Sequence, residues 1–244
     1  RTLAAPRYRP ATLVVGANTD PYQPAERRLE LTRAVLEVLA ETRHPTGLIT
    51  KSDAVLRDLD LLGRLAADGA VAVCLSVTTL DRDTARRLEP RAAAPHRRLE
   101  AVRRLTDAGV PVTLLASPVI PGLTDEALES VLAAGAEAGA VAANYQIVRL
   151  PHEVEPLFRA WLAAHYPDRQ DKVLNRIRAH RGGVLNDSDF SRRMGGSGAE
   201  AALVGRRFAV ACRRLGLAES HWPVAEDRFV RPAADGQLDL FGGG

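Results

Sequence analysis

Cysteine is scarce in this chain, long apolar runs are missing, and neither sign of charge dominates. Only Cys74 and Cys212 occur in 244 residues, and neither has a second Cys or His at metal-ligand spacing. That argues against a disulfide scaffold and against a self-contained zinc or iron–sulfur motif. A reducing cytoplasm is the expected compartment. No hydrophobic stretch reaches membrane-spanning length, because charges interrupt each one within about 10 residues, and no signal-peptide pattern is present. A soluble protein with no membrane partner is therefore expected. The formal charge is only +3, from 33 basic and 30 acidic residues, with arginine far outnumbering lysine. Affinity for polyanions would have to come from local clusters. The first residue is Arg1 rather than Met, and three arginines and two prolines fall in a loop-like first ten residues, which suggests a piece of a longer protein.

With 46% hydrophobic and 26% charged residues, the chain can bury a sizeable core in one α/β domain or two small ones. From residue 11 to 151, short β-branched runs alternate with amphipathic segments, the pattern of repeated βα units around a parallel sheet. Five units are expected, with strands over 12–15, 47–51, 71–78, 112–117 and 142–150. The helix after the first strand opens at Pro24 and is expected to turn Leu31, Val35, Val38 and Leu39 inward. Ser52 is expected to cap the next helix, with Val55, Leu56, Leu59 and Leu62 facing the core and Gly69 as stop. A short helical piece over 83–88 precedes a helix from Pro95 with Leu99, Val102 and Leu105 inward, and Thr124 is expected to cap the helix after the fourth strand.

Beyond Pro151 the strand signal gives way to helical segments over 153–164, 169–180 and 199–215, separated by glycine-rich turns. This divides the chain into a βα region (11–151), a helical extension (152–230) and a Pro/Gly/Ala-rich tail (231–244), expected to be disordered in isolation. Arginines over 176–181 and 191–193 are candidate phosphate contacts, although such pairs are more often solvated helix faces.

The stretch GANTDPYQPAE, residues 16–26, crowds Asn18, Thr19, Asp20, Tyr22 and Gln23 at one strand end. In parallel α/β sheets the working residues collect at the carboxyl ends of the strands. Here those ends also carry Thr50 and Lys51, Ser76 with Thr78 and Thr79, Ser117 and Pro118, and Asn144, Gln146 and Arg149. One polar mouth of this kind suits a zwitterionic or polyhydroxylated ligand. Taken singly, Thr19, Asp20 and Ser52 are better explained as helix caps, Lys51 as a solvated side chain and Tyr22 as loop packing, and only their shared edge favours a site.

The blocks GANTDPYQPAERRLELTR, HPTGLITKSDAVLRDLDLL, SVTTLDRDTARRLEPRAAAPHRRLEAVRRLTDAGVPV and SPVIPGLTD resemble the radical S-adenosylmethionine proteins related to spore photoproduct lyase, the group labelled DNA repair photolyase-like. The resemblance covers roughly residues 11–214 and implies a partial (β/α) barrel lacking its first βα unit. Members hold a [4Fe-4S] cluster on a Cys-x3-Cys-x2-Cys loop ahead of the matching block. No such loop is in this sequence, so the resemblance implies truncation, no unaided radical chemistry, and cluster ligands outside these residues. Cys74 and Cys212 read as packed core residues. The resemblance also implies a reducing electron donor and a lyase-like reaction in DNA repair or on a nucleic-acid-related substrate, with DNA itself as a partner.

Carried over residue by residue, the resemblance implies that the cofactor-binding loop bearing Asn18 receives the amino group of S-adenosylmethionine through Thr19 and Asp20. Lys51 and Ser76 would contact its carboxylate or ribose, Arg91 would complete the carboxylate clamp, and Ile120 would wall the adenine. The bland alternatives are a pairing of Arg91 with Glu89 and a buried strand hydroxyl at Ser76. Two other readings stand beside this one. One is an ordinary (β/α) barrel enzyme using Asp20 and Lys51 as acid and base, and the other a non-catalytic module tethered by its tail. QLDLF in that tail resembles the pentapeptide by which bacterial repair proteins dock on the DNA sliding clamp. Leu238, Leu240 and Phe241 would fill an apolar groove, with Gln237 bonding its rim. The other outcome for the tail is packing back on its own helices.

Overall fold

The structure is a computed structural model that describes residues 2–186, 195–219 and 224–232. Gln237, Leu238, Leu240 and Phe241, and the arginines of 191–193, lie outside the described residues. The strands are β1 (Leu13–Val15), β2 (Thr46–Thr50), β3 (Val71–Ser76), β4 (Val112–Val119) and β5 (Ala142–Ile147). They form one parallel sheet in the order β1-β2-β3-β4-β5. Strand order that follows chain order, each strand connected through a helix, is how a (β/α) barrel curls. The register pairs Val15 with Leu48, Thr50 with Leu75, and Ser76 with Leu115, which brings the strand ends to one edge.

The helices are α1 (Glu26–Leu29), α2 (Leu31–Glu41), α3 (Leu59–Ala67), α4 (Arg82–Leu88), α5 (Pro95–Asp107), α6 (Leu128–Glu137), α7 (Val154–His165), α8 (Gln170–Ala179) and α9 (Gly198–Leu215). Ser52 caps as expected, accepting from the Ala54 amide at 3.2 Å, but the turn it opens is a 3-10 segment, Asp53–Asp58. Thr124 does not cap; its hydroxyl accepts from the Ile120 amide at 2.8 Å instead, closing the loop after β4.

The single expected helix after β1 is broken at Glu30, which adopts a left-handed φ of 49°. Its inward face also differs from expectation. Leu39 is buried as expected, together with Thr32, Leu36 and Ala40, whereas Leu31, Val35 and Val38 are exposed. Two apolar stripes share this helix. Among the described residues β1 is an edge strand with β2 as its one neighbour, and α2 packs chiefly against α3, so only the stripe on that side finds a partner.

The main core lies between sheet and helices and includes Leu48, Val55, Leu62, Leu75, Val102 and Leu114. Phe208 and Cys212 of α9 belong to it, and Ala218 continues from α9 to bond the backbone of β5. The last helix of the extension thus covers the sheet, while α7 and α8 form a second cluster with Val148, Leu150 and Ile120. After α9 the chain crosses the opposite end of the sheet. There Ala225 bonds the Gly69 carbonyl, Val230 bonds that of Thr42, and Arg231 grips the carbonyls of Ala5 and Tyr8. Among the described residues, no helix is long and apolar enough to cross a membrane.

Candidate functional site

Gly16, with φ 93°, turns the chain out of β1 into the loop that delivers Asp20 over the end of β2. The Asp20 carboxylate accepts from the Thr50 hydroxyl at 2.8 Å, the Lys51 amide at 2.7 Å and the Tyr22 amide at 2.9 Å. It clasps loop to strand. Tyr22 turns inward, and its hydroxyl donates to buried Asp58 at 3.0 Å. Burial, then the Asp58 charge, pushes its phenol well above the usual range. Arg33 and Arg57 also reach Asp58. The loop therefore stands on a fixed base, with Asn18 and Thr19 exposed at its tip.

The electrostatic centre of the mouth is Glu89, which ends α4. One carboxylate oxygen lies 2.5 Å from the Lys51 ammonium and the other 2.7 Å from the Arg98 guanidinium. Arg98 is 2% exposed and also donates to the Ser76 and Ala93 carbonyls. Burial disfavours the Glu89 anion most strongly, yet Lys51 and Arg98 more than offset it and hold the carboxyl below its usual range. Two cations and one anion leave the group one positive charge in excess. Lys51 keeps 38% exposure and further N–H donors for an incoming anionic group.

Ser76, the last residue of β3, and Thr78 just beyond it face the same point. Both hydroxyls reach the Ser117 carbonyl, at 2.9 and 2.8 Å, and Thr78 also lies 3.2 Å from Glu89. The Ser117 hydroxyl meets Gln146 at 3.2 Å. A cleft of about 620 Å³ opens beside Glu89, lined also by Leu80, Asp81, Arg82, Arg86 and Pro95.

The structure thus brings Asp20, Lys51 and Ser76 to one edge, and Ser76 spends its hydroxyl on a buried backbone bond. Arg91 does not pair with Glu89, which is taken by Lys51 and Arg98. It is exposed and lines a separate cavity of about 340 Å³ with Tyr22, Arg57 and Arg97. Ile120, expected as an adenine wall, is fully buried among Val148, Leu150 and Phe158, because the bend after β4 turns it under α7 and α8. Its side chain presents no face to a ligand here. Asp20 and Lys51, paired in the acid–base reading, are engaged in different directions. Arg98 escaped the sequence reading, and Glu89 entered it only as an alternative partner of Arg91. The available signal was a glutamate closing a helix, where the dipole disfavours it.

Those observations sit within a wider likeness. The profile of the Radical SAM superfamily matches residues 2–134. The chain belongs to that superfamily. An uncharacterised protein of Mycobacterium tuberculosis is 33% identical over 168 residues, spanning 68% of this chain and 49% of the relative. An uncharacterised protein of Methanocaldococcus jannaschii is 27% identical over 158 residues, 65% of this chain and 58% of the relative. The chain therefore spans about half the length of the curated relatives it matches. Among solved structures, a cysteine-to-serine variant of spore photoproduct lyase superposes with a TM-score of 0.58 at 15% identity, covering 87% of this chain and 61% of that one. A tyrosine-to-phenylalanine variant of the same enzyme gives 0.58 at 14% identity with the same coverage. This likeness fixes the fold: a parallel α/β sheet consistent with a partial radical SAM barrel.

Proposed function

We propose that this radical SAM chain binds S-adenosylmethionine at the strand-end mouth, as the binding part of a lyase-like enzyme acting in DNA repair or on a nucleic-acid-related substrate. The observation that carries the reading is the Lys51–Glu89–Arg98 group, a fixed surplus positive charge beside strand-top hydroxyls, suited to an amino-acid carboxylate. In this superfamily S-adenosylmethionine bound to a [4Fe-4S] cluster generally supplies a 5′-deoxyadenosyl radical that abstracts hydrogen from substrate.

The described residues do not fit the cluster itself. No group of three or more His, Cys, Asp or Glu among them could hold a metal. Cys74 on β3 and Cys212 on α9 are both buried in the core, where burial pushes the thiols up to about 12 and about 11, and they stand on separate elements with no third Cys beside them. What these residues do on this reading is bind and orient. Lys51 meets the carboxylate, Glu89 fixes Lys51, and Asp20 holds the loop bearing Asn18 and Thr19 over the ligand. In protein that carries a Cys-x3-Cys-x2-Cys loop and is reconstituted with iron and sulfide, Lys51→Ala and Asp20→Ala are each expected to weaken S-adenosylmethionine binding by roughly ten- to a hundredfold. Calorimetric titration would read this, and unchanged affinity in both variants would remove the residues from the site.

The proposed partner of the tail is the bacterial DNA sliding clamp. Burying Leu238, Leu240 and Phe241 yields roughly 4.5–9 kcal/mol gross, and after the tail is ordered about micromolar affinity is expected. A peptide covering residues 235–244 checks it by fluorescence anisotropy. No binding at high micromolar clamp, together with destabilisation of the whole chain by Phe241→Ala, would make the tail a structural element instead.

A further inference from the structure

Two adjoining cavities, of about 470 and 340 Å³, lie beside the mouth and share Arg27, Asp53, Ala54 and Arg97. Together they form a trough between α1, the 3-10 segment after β2 and the start of α5. Its walls carry Arg27, Arg57, Arg91, His96, Arg97 and Arg104. The acidic residues in the trough are already committed: Glu26 to Arg57 at 2.9 Å, Asp53 to Arg97 at 2.7 Å, and Glu100 to Arg103 at 3.2 Å. Arg27, Arg91 and Arg104 are exposed and make no ion pair among the described residues. α5 opens with Pro95, His96 and Arg97 and has no acidic residue in its first turn. That is the opposite of what the helix dipole favours, and an anion seated there would offset it.

We infer that this trough binds the phosphodiester backbone of a polynucleotide and leads it to the mouth. The inference rests on the nucleic-acid reading above and gives it a location. Guanidinium groups match phosphate oxygens in a bidentate fork. Three uncommitted ones spread over two cavities suit a chain of phosphates better than one. Ala92 and Ala93, next to Arg91, line both the trough and the cleft at Glu89, so a strand in the trough runs directly to the site. Of the arginines that the sequence singled out over 176–181, Arg178 makes an exposed bond to Asn175 and two others are spent within the fold. Arg176 pairs with Asp125 and Glu200, and Arg181 is buried and donates to the Val148 carbonyl.

The test is anisotropy of labelled single-stranded and duplex oligonucleotides with the chain, from 50 to 200 mM salt on the order used for such slopes. Arg27→Ala/Arg91→Ala/Arg104→Ala is expected to reduce the log–log salt slope by about 2 for a single strand or about 3 for a duplex, with at least a ~10-fold loss of affinity. The melting temperature should stay near that of the parent, since these side chains hold nothing. Arg206→Ala/Arg213→Ala/Arg214→Ala, on exposed α9 positions, removes the same three charges and should change the slope little. An unchanged slope in the triple variant, or an equal loss in the control, overturns the trough. So does displacement of the oligonucleotide by low-millimolar inorganic phosphate at constant ionic strength, which would mark a single-anion site. No S-adenosylmethionine or cluster enters the measurement, so its failure is separate from failure of the cofactor reading.

Discussion

Glu89→Ala is expected to destabilise the fold by about 3–5 kcal/mol, the range for removing one member of a buried ion group. For a chain of this size that is a fall in melting temperature of roughly 6–20 °C. The cost comes less from the lost attraction than from what remains. Arg98, at 2% exposure, would keep its charge with only the Ala93 and Ser76 carbonyls to meet it. Arg98→Met in the Glu89→Ala background should therefore recover part of the loss, a coupling that a double-mutant cycle reads directly. The group also sets an acid limit. Because the folded carboxyl is held below its usual value, its contribution is complete above the unfolded glutamate pKa of about 4.3 and is lost as pH falls through the lowered folded value. Stability of Glu89→Ala should accordingly fall less steeply with acid than that of the parent. A loss under about 1 kcal/mol, or a parallel acid profile, would mean that the group is solvated and does not organise the mouth.

The sheet was legible because its signals are local. Runs such as VAVCLS are apolar on both faces, as a strand covered on two sides must be, and Gly69 and Gly109 end helices as their sequence context predicts. The strand-end mouth followed from topology alone. Less legible was anything decided by packing between distant segments. Leu31, Val35 and Val38 form as regular a stripe as Leu36 and Ala40, and only the position of β1 at the sheet edge decides between them. Ile120 lies in a loop whose composition gives no sign that α7 and α8 will cover it. Lys51 follows β2, whereas Glu89 and Arg98 both lie in the connection from β3 to β4, so the union of the three has no local spacing to read. The same holds for the trough, whose arginines are spread from Arg27 to Arg104.

Gly16→Ala is expected to cost about 2–4 kcal/mol and to disturb the mouth as well as the fold. Two effects add at this residue. Its φ of 93° is open to glycine but strained for alanine. An added Cβ would lie 2.1 Å from the Ile49 carbonyl oxygen and 2.9 Å from the Pro21 ring. The first contact is backbone within β2, so relief requires the loop to lift away. Lifting it withdraws Asp20 from Thr50 and Lys51, and the Lys51 backbone amide loses its acceptor at 2.7 Å. The variant should therefore lose S-adenosylmethionine affinity beyond what Asp20→Ala alone loses, since Asn18 and Thr19 move with the loop. Gly63→Ala is the internal comparison. That glycine lies within α3, where the nearest atom to an added Cβ is the Ala108 carbonyl oxygen at 3.8 Å. Ordinary contact and better helix propensity predict a gain of about 0.4–1 kcal/mol there. Chemical denaturation of both variants separates the cases, and a Gly16→Ala protein within about 0.5 kcal/mol of the parent would show that the loop yields without strain and that the Asp20 clasp does not fix it.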